Sequence, residues 1–383
     1  MLFVHDHVFI EHNNRLYTTG SLNNLILNRY IEWFGFVNVF AYKRLYAEKD
    51  RKIVKEGNES SVANFTLVEK KRSISSMISQ VKEIKKLVIA DSCVVSRMSI
   101  LGIISVHYAK KYKKPYLIEV VADPWDSLWN HSFKGKIIAP LMVLITKYYV
   151  KNAPHVVYVT DKYLQNKYPT NGKELACSDV EININSKDLS LRMNKIKRMD
   201  LKKINLGTLA NVEVPYKGQE FVIRSIPGLI KRGVLVHYYL YGAGDNTRLK
   251  EISHKLGIKD YVSFVGPVPH SNIIEKLRDL DIYIQPSLQE GLPRAVIEAM
   301  SVGLPIIGAK TGGIPELIDS DWQVNKKNID EISNKLANLS KNDLSKAASN
   351  NFEKSFNFQG DILNQKRNMF YGEFVDYYKL KRI

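Results

Sequence analysis

The sequence has 383 residues, of which 45% are hydrophobic, and it carries a formal net charge of +17. This length suffices for about two globular domains. The chain has no run of the roughly 18 apolar residues that a spanning helix needs, and its first residues lack the basic region and apolar core of a signal peptide. Cys93 and Cys177 form no metal-spaced cluster, so we expect free thiols in a reducing cytoplasm.

The positive charge is divided about evenly between the two halves of the chain and does not form a basic tail. Such an excess favours polyanions, anionic membrane surfaces or a phosphate-bearing substrate. The sequence has no nucleic-acid fold signature and no aromatic platform interleaved with its basic runs. We therefore expect no nucleic-acid partner, and a basic nucleic-acid-binding protein remains the less favoured alternative.

The N-terminal region has the pattern of a doubly wound α/β domain. Leu2 to Val4 is typical of a strand, an amphipathic helix follows from Leu22 to Trp33, and Val37 to Ala41 has the pattern of a second strand. A strand, a small-residue loop and a helix open such a sheet. Gly20 lies in the loop, where a glycine either lets a ligand approach the backbone or forms a plain turn.

Further strands are predicted at Leu87 to Ala90 and at Pro115 to Val121. Ligands of parallel α/β sheets bind at the carboxyl ends of the strands, so the second of these strands brings Asp123, Trp125 and Asp126 to the rim of a cleft. Asp123 and Trp125 are therefore candidate ligand-contacting residues. The alternative is a helix cap at Asp126 and a core position for Trp125.

Two segments of the first half are candidates for a membrane-facing surface. Lys110 to Lys114 ends a predicted helix, where lysines either complement the helix dipole or form a patch facing a membrane or a diphosphate. The predicted helix from about Lys136 to Lys151 is apolar over much of its surface, including Leu141 and Leu144. This helix either packs in the core or lies on a membrane interface, and the core is the default expectation.

A change in composition divides the chain into two domains. From Ile182 to about Lys203 the sequence turns polar and charged, and we place the interdomain linker there. The predicted domains cover residues 1–190 and 200–359. A second series of strands begins at Ile204 and continues at Val236 to Tyr241 and at Val262 to Gly266.

The stretch from Pro286 to Leu317 carries the strongest functional signal. A buried strand precedes it, and a helix is predicted from Pro293, where the missing N–H of proline costs nothing. The free N–H groups at the start of this helix form an anion site suited to phosphate. Glu290 and Glu298 flank that site, and since carboxylates repel phosphate, they are better suited to accept hydrogen bonds from hydroxyl groups. A nucleotide-sugar, with a diphosphate between ribose and hexose, has this layout.

This stretch resembles the Glu-x7-Glu motif of retaining glycosyltransferases of family 4. These enzymes have the GT-B fold, an α/β architecture of two Rossmann-like domains facing a central cleft. An ordinary amphipathic helix with two solvated glutamates would leave the glycine and proline pattern unexplained. The resemblance is strong over Lys203–Asp319 and weaker over the N-terminal half. The matching residues are Glu290 to Pro293, Glu298 to Met300, Gly303 to Pro305 and Gly312 to Glu316.

The resemblance implies a donor site that includes other loops. Lys217-Gly218 matches a family pair whose lysine clamps the diphosphate, whereas Thr208 stands at the family's arginine position and could donate one hydrogen bond. Gly242 stands in a Gly-x-Gly loop. Pro269-His270 would lie near the base, with a helix N-terminus as the other interpretation of His270. The implied donor-binding residues are Thr208, Lys217, Gly218, Gly242, Pro269, His270, Glu290, Gly291, Leu292, Pro293 and Glu298.

The implied roles place Glu298 on the ribose and Glu290 by the transferred sugar, with Glu290, Lys217 and Asp123 as catalytic residues. The implied acceptor-side residues are Gly20, Asp123 and Trp125. Many family members have a histidine before the position of Asp123, where this chain has Ala122. The run from Asp279 to Asp281 looks like a metal-binding Asp-x-Asp motif, but the apolar residues around it indicate a helix-to-strand junction. With no Cys/His cluster either, we expect neither a metal nor a cofactor.

The expected activity is hexosyl transfer from a UDP- or GDP-sugar to a hydroxyl group, with retention of the anomeric configuration. By resemblance the acceptor is a lipid-linked oligosaccharide in the assembly of O-antigen, capsule or exopolysaccharide, at the inner face of the cell membrane. The resemblance also implies that the last helix, residues 360–383, packs back on the first domain. A nucleotide-sugar epimerase of GT-B fold is the alternative, although its usual motifs differ from Glu290–Glu298.

Overall fold

Two parallel β-sheets, each covered by helices on both faces, organise the chain. The computed structural model describes residues 1–18, 22–55, 59–71, 73–130 and 133–380. Gly20, a predicted acceptor-side residue, lies outside the described residues. The two α/β domains confirm the architecture that the sequence predicted.

The first domain contains eight strands and seven helices within the described residues. In chain order these are β1 (Leu2–His12), β2 (Arg15–Tyr17), α1 (Asn24–Phe34), β3 (Asn38–Leu45), α2 (Arg51–Lys55), β4 (Asn64–Glu69), α3 (Ile74–Ala90), β5 (Val94–Arg97), α4 (Ile100–Lys111), β6 (Tyr116–Val120), α5 (Pro124–Trp129), α6 (Phe133–Lys151), β7 (His155–Tyr158), α7 (Tyr163–Lys167) and β8 (Lys173–Ala176). The strand order is β4-β3-β1-β5-β6-β7-β8, and β2 pairs antiparallel with β1.

The direction of each crossover decides which face its helix covers. From β1 to β4 the chain adds strands toward one edge of the sheet, and from β5 to β8 it adds them toward the other edge. Because the crossovers are right-handed, α1 covers one face of the sheet, and α3, α4 and α6 cover the other face. Two cores result, one containing Leu27 of α1 and the other containing Ile84 of α3 and Val150 of α6. Strand β1 serves both, since Phe3 lies in the first core and Val4 in the second.

One predicted strand is wrong. Leu87 to Ala90 forms the last turn of α3, and β5 supplies the next strand of the sheet. Ile84 and Val88, four residues apart, are both buried, so this apolar run belongs to the buried face of an amphipathic helix. A short apolar run taken alone does not distinguish a buried strand from the end of such a helix.

The second domain is built on six parallel strands in the order β11-β10-β9-β12-β13-β14. Its strands and helices, apart from the last helix of the chain, share one large hydrophobic core. In chain order the elements are α8 (Lys187–Arg198), β9 (Lys203–Leu209), α9 (Gln219–Lys231), β10 (Leu235–Tyr241), α10 (Thr247–Lys255), β11 (Val262–Gly266), α11 (His270–Asp279), β12 (Ile282–Gln285), α12 (Arg294–Ser301), β13 (Ile306–Ala309), α13 (Ile314–Leu317), β14 (Gln323–Val324), α14 (Ile329–Ala337), α15 (Lys341–Ser355) and α16 (Gly360–Tyr377).

Two helices define how the chain passes between the domains. Helix α8 lies in the stretch predicted as a linker, packs against α15, and buries Arg192, which donates to the backbone oxygen of Leu280 at 2.6 Å. A buried guanidinium requires hydrogen-bond acceptors. The polar sequence of α8 therefore makes buried hydrogen bonds. Helix α16 packs against α1 and β8 and adds Phe370 and Phe374 to a core of the first domain.

Candidate active site

The loops that carry Lys217 and Glu290 leave neighbouring strands of the second sheet. Strand β9 pairs with β10 on one side and with β12 on the other, so the direction of strand addition reverses between β9 and β12. Open parallel sheets bind ligands in the crevice outside the strand ends at such a reversal. The loop after β9 carries Lys217 and the loop after β12 carries Glu290, which places both side chains at this crevice.

Lys217 and Glu290 form an ion pair, with Nζ 2.7 Å from Oε1. The same oxygen accepts a hydrogen bond from Nε2 of Gln285 at 3.0 Å. Gly218 has a φ of 75°, and a Cβ atom there would lie 2.1 Å from the backbone oxygen of Pro286. This close approach requires glycine and brings the lysine loop against the glutamate loop. The sequence analysis did not identify Gln285, because no motif marks this residue.

Gly291 lies where the two domains meet. A Cβ atom on Gly291 would lie 2.6 Å from the backbone oxygen of Val121, just after β6 of the first domain. On the other side, the N–H of Gly313 donates to the oxygen of Gly291 at 2.7 Å. Leu292 packs against the cores of both domains. The glycines of this motif therefore allow backbone segments of two domains to lie in direct contact.

A cavity of about 120 Å³ lies between the domains at this point. Typical small-molecule sites begin at about 300 Å³, so this closed arrangement encloses room for only part of a nucleotide-sugar. Burial and the neighbouring charge of Asp123 raise the pKa of Asp126, one of the lining residues. The cavity is lined by Ala122, Asp123, Asp126, Ser127, Tyr216, Lys217, Gln289, Glu290 and Gly291.

Other cavities lie elsewhere in the molecule. One of about 580 Å³ is bounded by residues of β14, α14 and α15 and contains no residue of the predicted donor site. Another, of about 350 Å³, lies between the domains behind the motif and is lined by Leu292, Glu316 and residues near the start of α16. The chemistry predicted from the sequence therefore coincides with a smaller cavity than either of these.

Glu298 and His270 lie together near the start of α11. Helix α12 begins at Arg294 with Pro293 at its N-cap, and Glu298 is buried within the helix. Oε1 of Glu298 lies 3.4 Å from Nε2 of His270, and the hydrogen bond between them raises the pKa of the exposed His270 imidazole. Pro269 precedes this histidine at the helix N-cap. Two residues predicted for the nucleoside end of the donor are therefore in contact.

Gly242 has a backbone role. Its N–H donates to the oxygen of Gly266 at 2.9 Å, and a Cβ atom there would lie 1.9 Å from the backbone oxygen of Ala210. This glycine therefore allows the loop after β10 to pack against the loop after β9. Its assignment to the donor site stays a prediction.

The side chain of Thr208 is engaged inside the second domain, and its contact with the diphosphate stays a prediction. Thr208 is completely buried in β9, where its Oγ1 lies 2.7 Å from the hydroxyl of Tyr238 and donates to the backbone oxygen of Ile284 at 2.6 Å. A hydroxyl whose proton is used inside the domain has none left for a ligand. Sequence position placed Thr208 at the strand end, but its side chain points into the core.

Asp123 lines the cavity, but its carboxylate is engaged within the first domain, and its catalytic, acceptor-side role stays a prediction. Its carboxylate caps α5 by accepting from the N–H of Trp125 at 3.0 Å, and it accepts from the hydroxyl of Tyr163 at 3.0 Å. Lys167 and the Tyr168 hydroxyl are further partners. With its acceptor positions occupied, this buried carboxylate ties α5 to α7. Asp123, and not Asp126, is the helix cap.

Trp125 is half-buried and stacks on Trp129, with ring centroids 4.7 Å apart and an interplanar angle of 15°. Both indoles belong to α5, which is short and has no fully buried residue. The stack runs along this helix, whose residues Asp126 and Ser127 line the cavity. An acceptor-side role for Trp125 stays a prediction.

Two histidines that the sequence analysis did not single out lie at the corresponding point of the first sheet. His5 and His7 occupy β1 where its register against β3 shifts, and β5, which ends at Arg97, pairs with the other side of β1. Burial and the charge of Arg97 lower the pKa of His5 to about 3 and that of His7 to about 4. Both imidazoles are therefore neutral at pH 7. The sequence signal that could have identified these two histidines is the His-x-His alternation within a strand.

Comparison with known proteins identifies relatives of the chain. Residues 203–342 match the family described as glycosyl transferases group 1. Protein CapJ of Staphylococcus aureus is 32% identical over 348 residues, which span 89% of this chain and 86% of CapJ. The putative colanic acid biosynthesis glycosyltransferase WcaL of Escherichia coli (strain K12) is 30% identical over 142 residues, or 34% of this chain and 35% of WcaL.

Solved structures share the fold. HepE of Anabaena, crystallised in complex with UDP, superposes with a TM-score of 0.66 over 97% of this chain and 99% of HepE, at 15% identity. Sucrose-phosphate synthase of Thermosynechococcus elongatus superposes with a TM-score of 0.66 over 98% of this chain and 99% of that chain, at 13% identity. In agreement with its Glu-x7-Glu motif, the chain belongs to the group 1 glycosyltransferases, enzymes that transfer sugars, and has the GT-B fold.

Proposed function

We propose that this glycosyltransferase moves a hexosyl unit from a nucleoside-diphosphate sugar to a hydroxyl group of a sugar acceptor, with retention of the anomeric configuration. The observation that carries the proposal is the pairing of Lys217 with Glu290 at the strand-order reversal of the second sheet. The ammonium group attracts a diphosphate, and the carboxylate accepts a hydrogen bond from a sugar hydroxyl. The positive end of the α12 dipole adds to the anion site.

In the proposed reaction, Lys217 and the N–H groups around Gly291 stabilise the charge that develops on the leaving diphosphate. The acceptor hydroxyl attacks the anomeric carbon from the face that the diphosphate leaves. The bond to the diphosphate breaks as the glycosidic bond forms, and a diphosphate oxygen takes the proton of the hydroxyl. Glu290 holds a hydroxyl of the transferred hexose, and Glu298 holds the ribose beside His270.

We propose that no metal takes part, since Lys217 and backbone N–H groups supply the positive charge that the diphosphate needs. Treatment with EDTA should then leave the rate of transfer unchanged. A loss of activity that Mg²⁺ or Mn²⁺ restores would contradict this part of the proposal.

For the acceptor, we propose a lipid-linked oligosaccharide used in surface-polysaccharide assembly. The name of WcaL assigns that relative to colanic acid biosynthesis, and the net charge of +17 favours an anionic membrane as the place of reaction. Among the described residues, no helix is both long enough and apolar enough to cross a membrane. We propose that the enzyme works as a peripheral protein at the inner face of the cell membrane.

A thermal-shift screen of UDP- and GDP-sugars tests the donor, because a ligand that binds the native state raises its thermal midpoint. HepE was also solved in complex with UDP-glucose, so UDP-glucose is the first probe. Lys217→Ala and Glu298→Ala should each weaken donor binding by about tenfold or more, since each removes a charged hydrogen-bonding partner. Lys255→Ala, on the exposed surface of α10, is the matched control. If both site variants bind the donor like the wild type, the site assignment is wrong.

A further inference from the structure

Helix α6 carries an apolar stripe on the face that points away from the sheet. Gly135, Ala139, Thr146 and Val150 form its buried face. The stripe residues recur three or four positions apart, which places them along one side of the helix, and they are between 55% and 79% exposed. The sequence-based expectation of a core helix therefore holds for only one face. The α6 stripe consists of Phe133, Ile137, Leu141, Leu144 and Tyr148.

Lysines flank the α6 stripe, and acidic residues are absent from the helix. The sequence of α6 contains no Asp or Glu, and all four of its lysines are exposed. On the helical wheel these lysines fall at the two margins of the stripe and at one of its ends. They are Lys134, Lys136, Lys147 and Lys151.

Aromatic and basic side chains from neighbouring helices border the stripe. Nζ of Lys110, near the end of α4, lies 4.9 Å from the ring centroid of Tyr148 and donates to its hydroxyl at 3.3 Å. On the α5 side, Nζ of Lys136 lies 5.7 Å from the ring of Trp129. Tryptophan, tyrosine and lysine around an apolar stripe are the residues that anchor proteins in the interface of a membrane.

The stripe is connected to the candidate active site through one short helix. Helix α5 packs against α6, and its residues Asp126 and Ser127 line the cavity beside Lys217 and Glu290. Trp129, at the other end of α5, reaches the border of the stripe. A surface bound to the α6 stripe would therefore lie next to the opening between the domains.

We propose that the exposed face of α6 binds the interface of an anionic phospholipid bilayer. The apolar stripe enters the boundary between headgroups and acyl chains, and the lysines pair with anionic headgroups. A second copy of this chain is the less suitable occupant, because a two-fold contact between stripes would bring the lysines of one copy against those of the other. Helix α6 has 19 residues and lies on the membrane in this arrangement.

The proposal deepens the proposed function, since it rests on that function for the role of the bilayer as the place where the acceptor is presented. Binding to the bilayer itself requires no acceptor and no donor. The two inferences can therefore fail separately, and the experiment measures both.

The test is sedimentation of the full chain with vesicles of phosphatidylglycerol and phosphatidylcholine in equal parts, compared with phosphatidylcholine alone. The wild type should sediment with the anionic vesicles, and less so at high salt. Leu141→Glu/Leu144→Glu should lower the vesicle affinity by about tenfold or more, because both side chains are exposed and folding does not depend on them. The control is Met369→Glu, which changes an exposed residue of α16 on the opposite side of the first sheet.

A second pair of variants separates the charge from the apolar contact. Lys134→Gln/Lys136→Gln/Lys147→Gln should lower the ratio of the affinity for anionic vesicles to the affinity for phosphatidylcholine vesicles by about tenfold or more. Lys255→Gln/Lys259→Gln, which lowers the net charge on the exposed surface of the second domain, should leave the preference nearly intact.

The proposal is overturned if the wild type stays in the supernatant, or if Leu141→Glu/Leu144→Glu sediments as the wild type does. A dimer that forms without vesicles and is lost in the same variant would identify a second copy as the occupant. Thermal shifts with UDP-glucose are measured in parallel without vesicles, and every variant of α6 should respond as the wild type does. A wild type that binds vesicles and no nucleotide-sugar would reject the proposed function and leave the membrane surface standing.

Discussion

Gly291 has no space for a side chain, because a Cβ atom would lie 2.6 Å from the backbone oxygen of Val121 in the other domain. Backbone atoms cannot yield as a flexible side chain can, so any larger residue must move the two domains apart. This single position therefore couples the donor loop to the first domain. Its neighbour Glu290 lies in the same turn, and a shift of the turn displaces the ion pair with Lys217.

Gly291→Ala should lower the rate of glycosyl transfer by about 100-fold, since a misplacement of roughly 1 Å is enough to cost that much. The thermal midpoint should change little, because the cores of both domains are untouched. Gly228→Ala is the control, where the new Cβ atom would meet only Oγ of Ser333, at 3.5 Å. Steady-state kinetics and thermal unfolding of both variants check the prediction, and full activity of Gly291→Ala would contradict it.

At the scale of elements, Asp123 joins α5 to α7. The carboxylate caps one helix and accepts hydrogen bonds from Tyr163, Lys167 and Tyr168 at the other. Burial and the nearby carboxylate raise the pKa of both tyrosines, so their hydroxyls remain protonated donors. The two helices lie on either side of β7 in the chain, and this carboxylate fixes the loop that follows β6.

Asp123→Ala should lower the free energy of unfolding by about 2–4 kcal/mol, because it removes a helix cap and leaves buried donors without an acceptor. Asp330→Ala, in the exposed first turn of α14, should change it by less than about 1 kcal/mol. Urea denaturation measures both variants. If Asp123→Ala kept wild-type stability and lost transfer alone, the catalytic role that the family resemblance implies for Asp123 would be supported.

At the scale of the whole molecule, Glu316 holds the domains together. Its carboxylate, in α13 of the second domain, accepts from the backbone N–H of Asp161 at 2.6 Å, from that of Lys162 at 3.0 Å, and from that of Tyr163. All three donors belong to the segment at the start of α7 in the first domain. A carboxylate with several N–H partners is a strong, directional contact. The closed arrangement around the small cavity therefore depends partly on this residue.

Glu316→Ala should favour an open arrangement of the domains. We expect a larger radius of gyration in small-angle scattering without donor, and a rise of about tenfold in the KM for the donor, because closure then has to be driven by the ligand. Glu353→Ala, on the exposed surface of α15, is the control. Identical scattering and KM in Glu316→Ala and the wild type would show that this carboxylate does not hold the closed form.

The sequence by itself determined the two parallel sheets and the motif from Glu290 to Glu298. Apolar strand patterns, helix ends and glycine turns are local properties, and each is set by neighbouring residues along the chain. Lys217-Gly218 was assigned by its match to a family pair, and the structure places this pair in the loop after β9.

Only the tertiary structure decided which polar side chains are free to meet a ligand. Thr208 and Asp123 stand at strand ends as expected, but the partners that occupy them come from β10, β12 and α7, distant in the chain. The tertiary structure also decided which side chains of α6 are exposed. The apolar composition of α6 suits a core helix, but only one of its faces is buried. A side chain can bind a ligand only if no other part of the protein occupies its polar atoms. Contacts between helices and strands decide this, and the sequence pattern within one helix or strand does not.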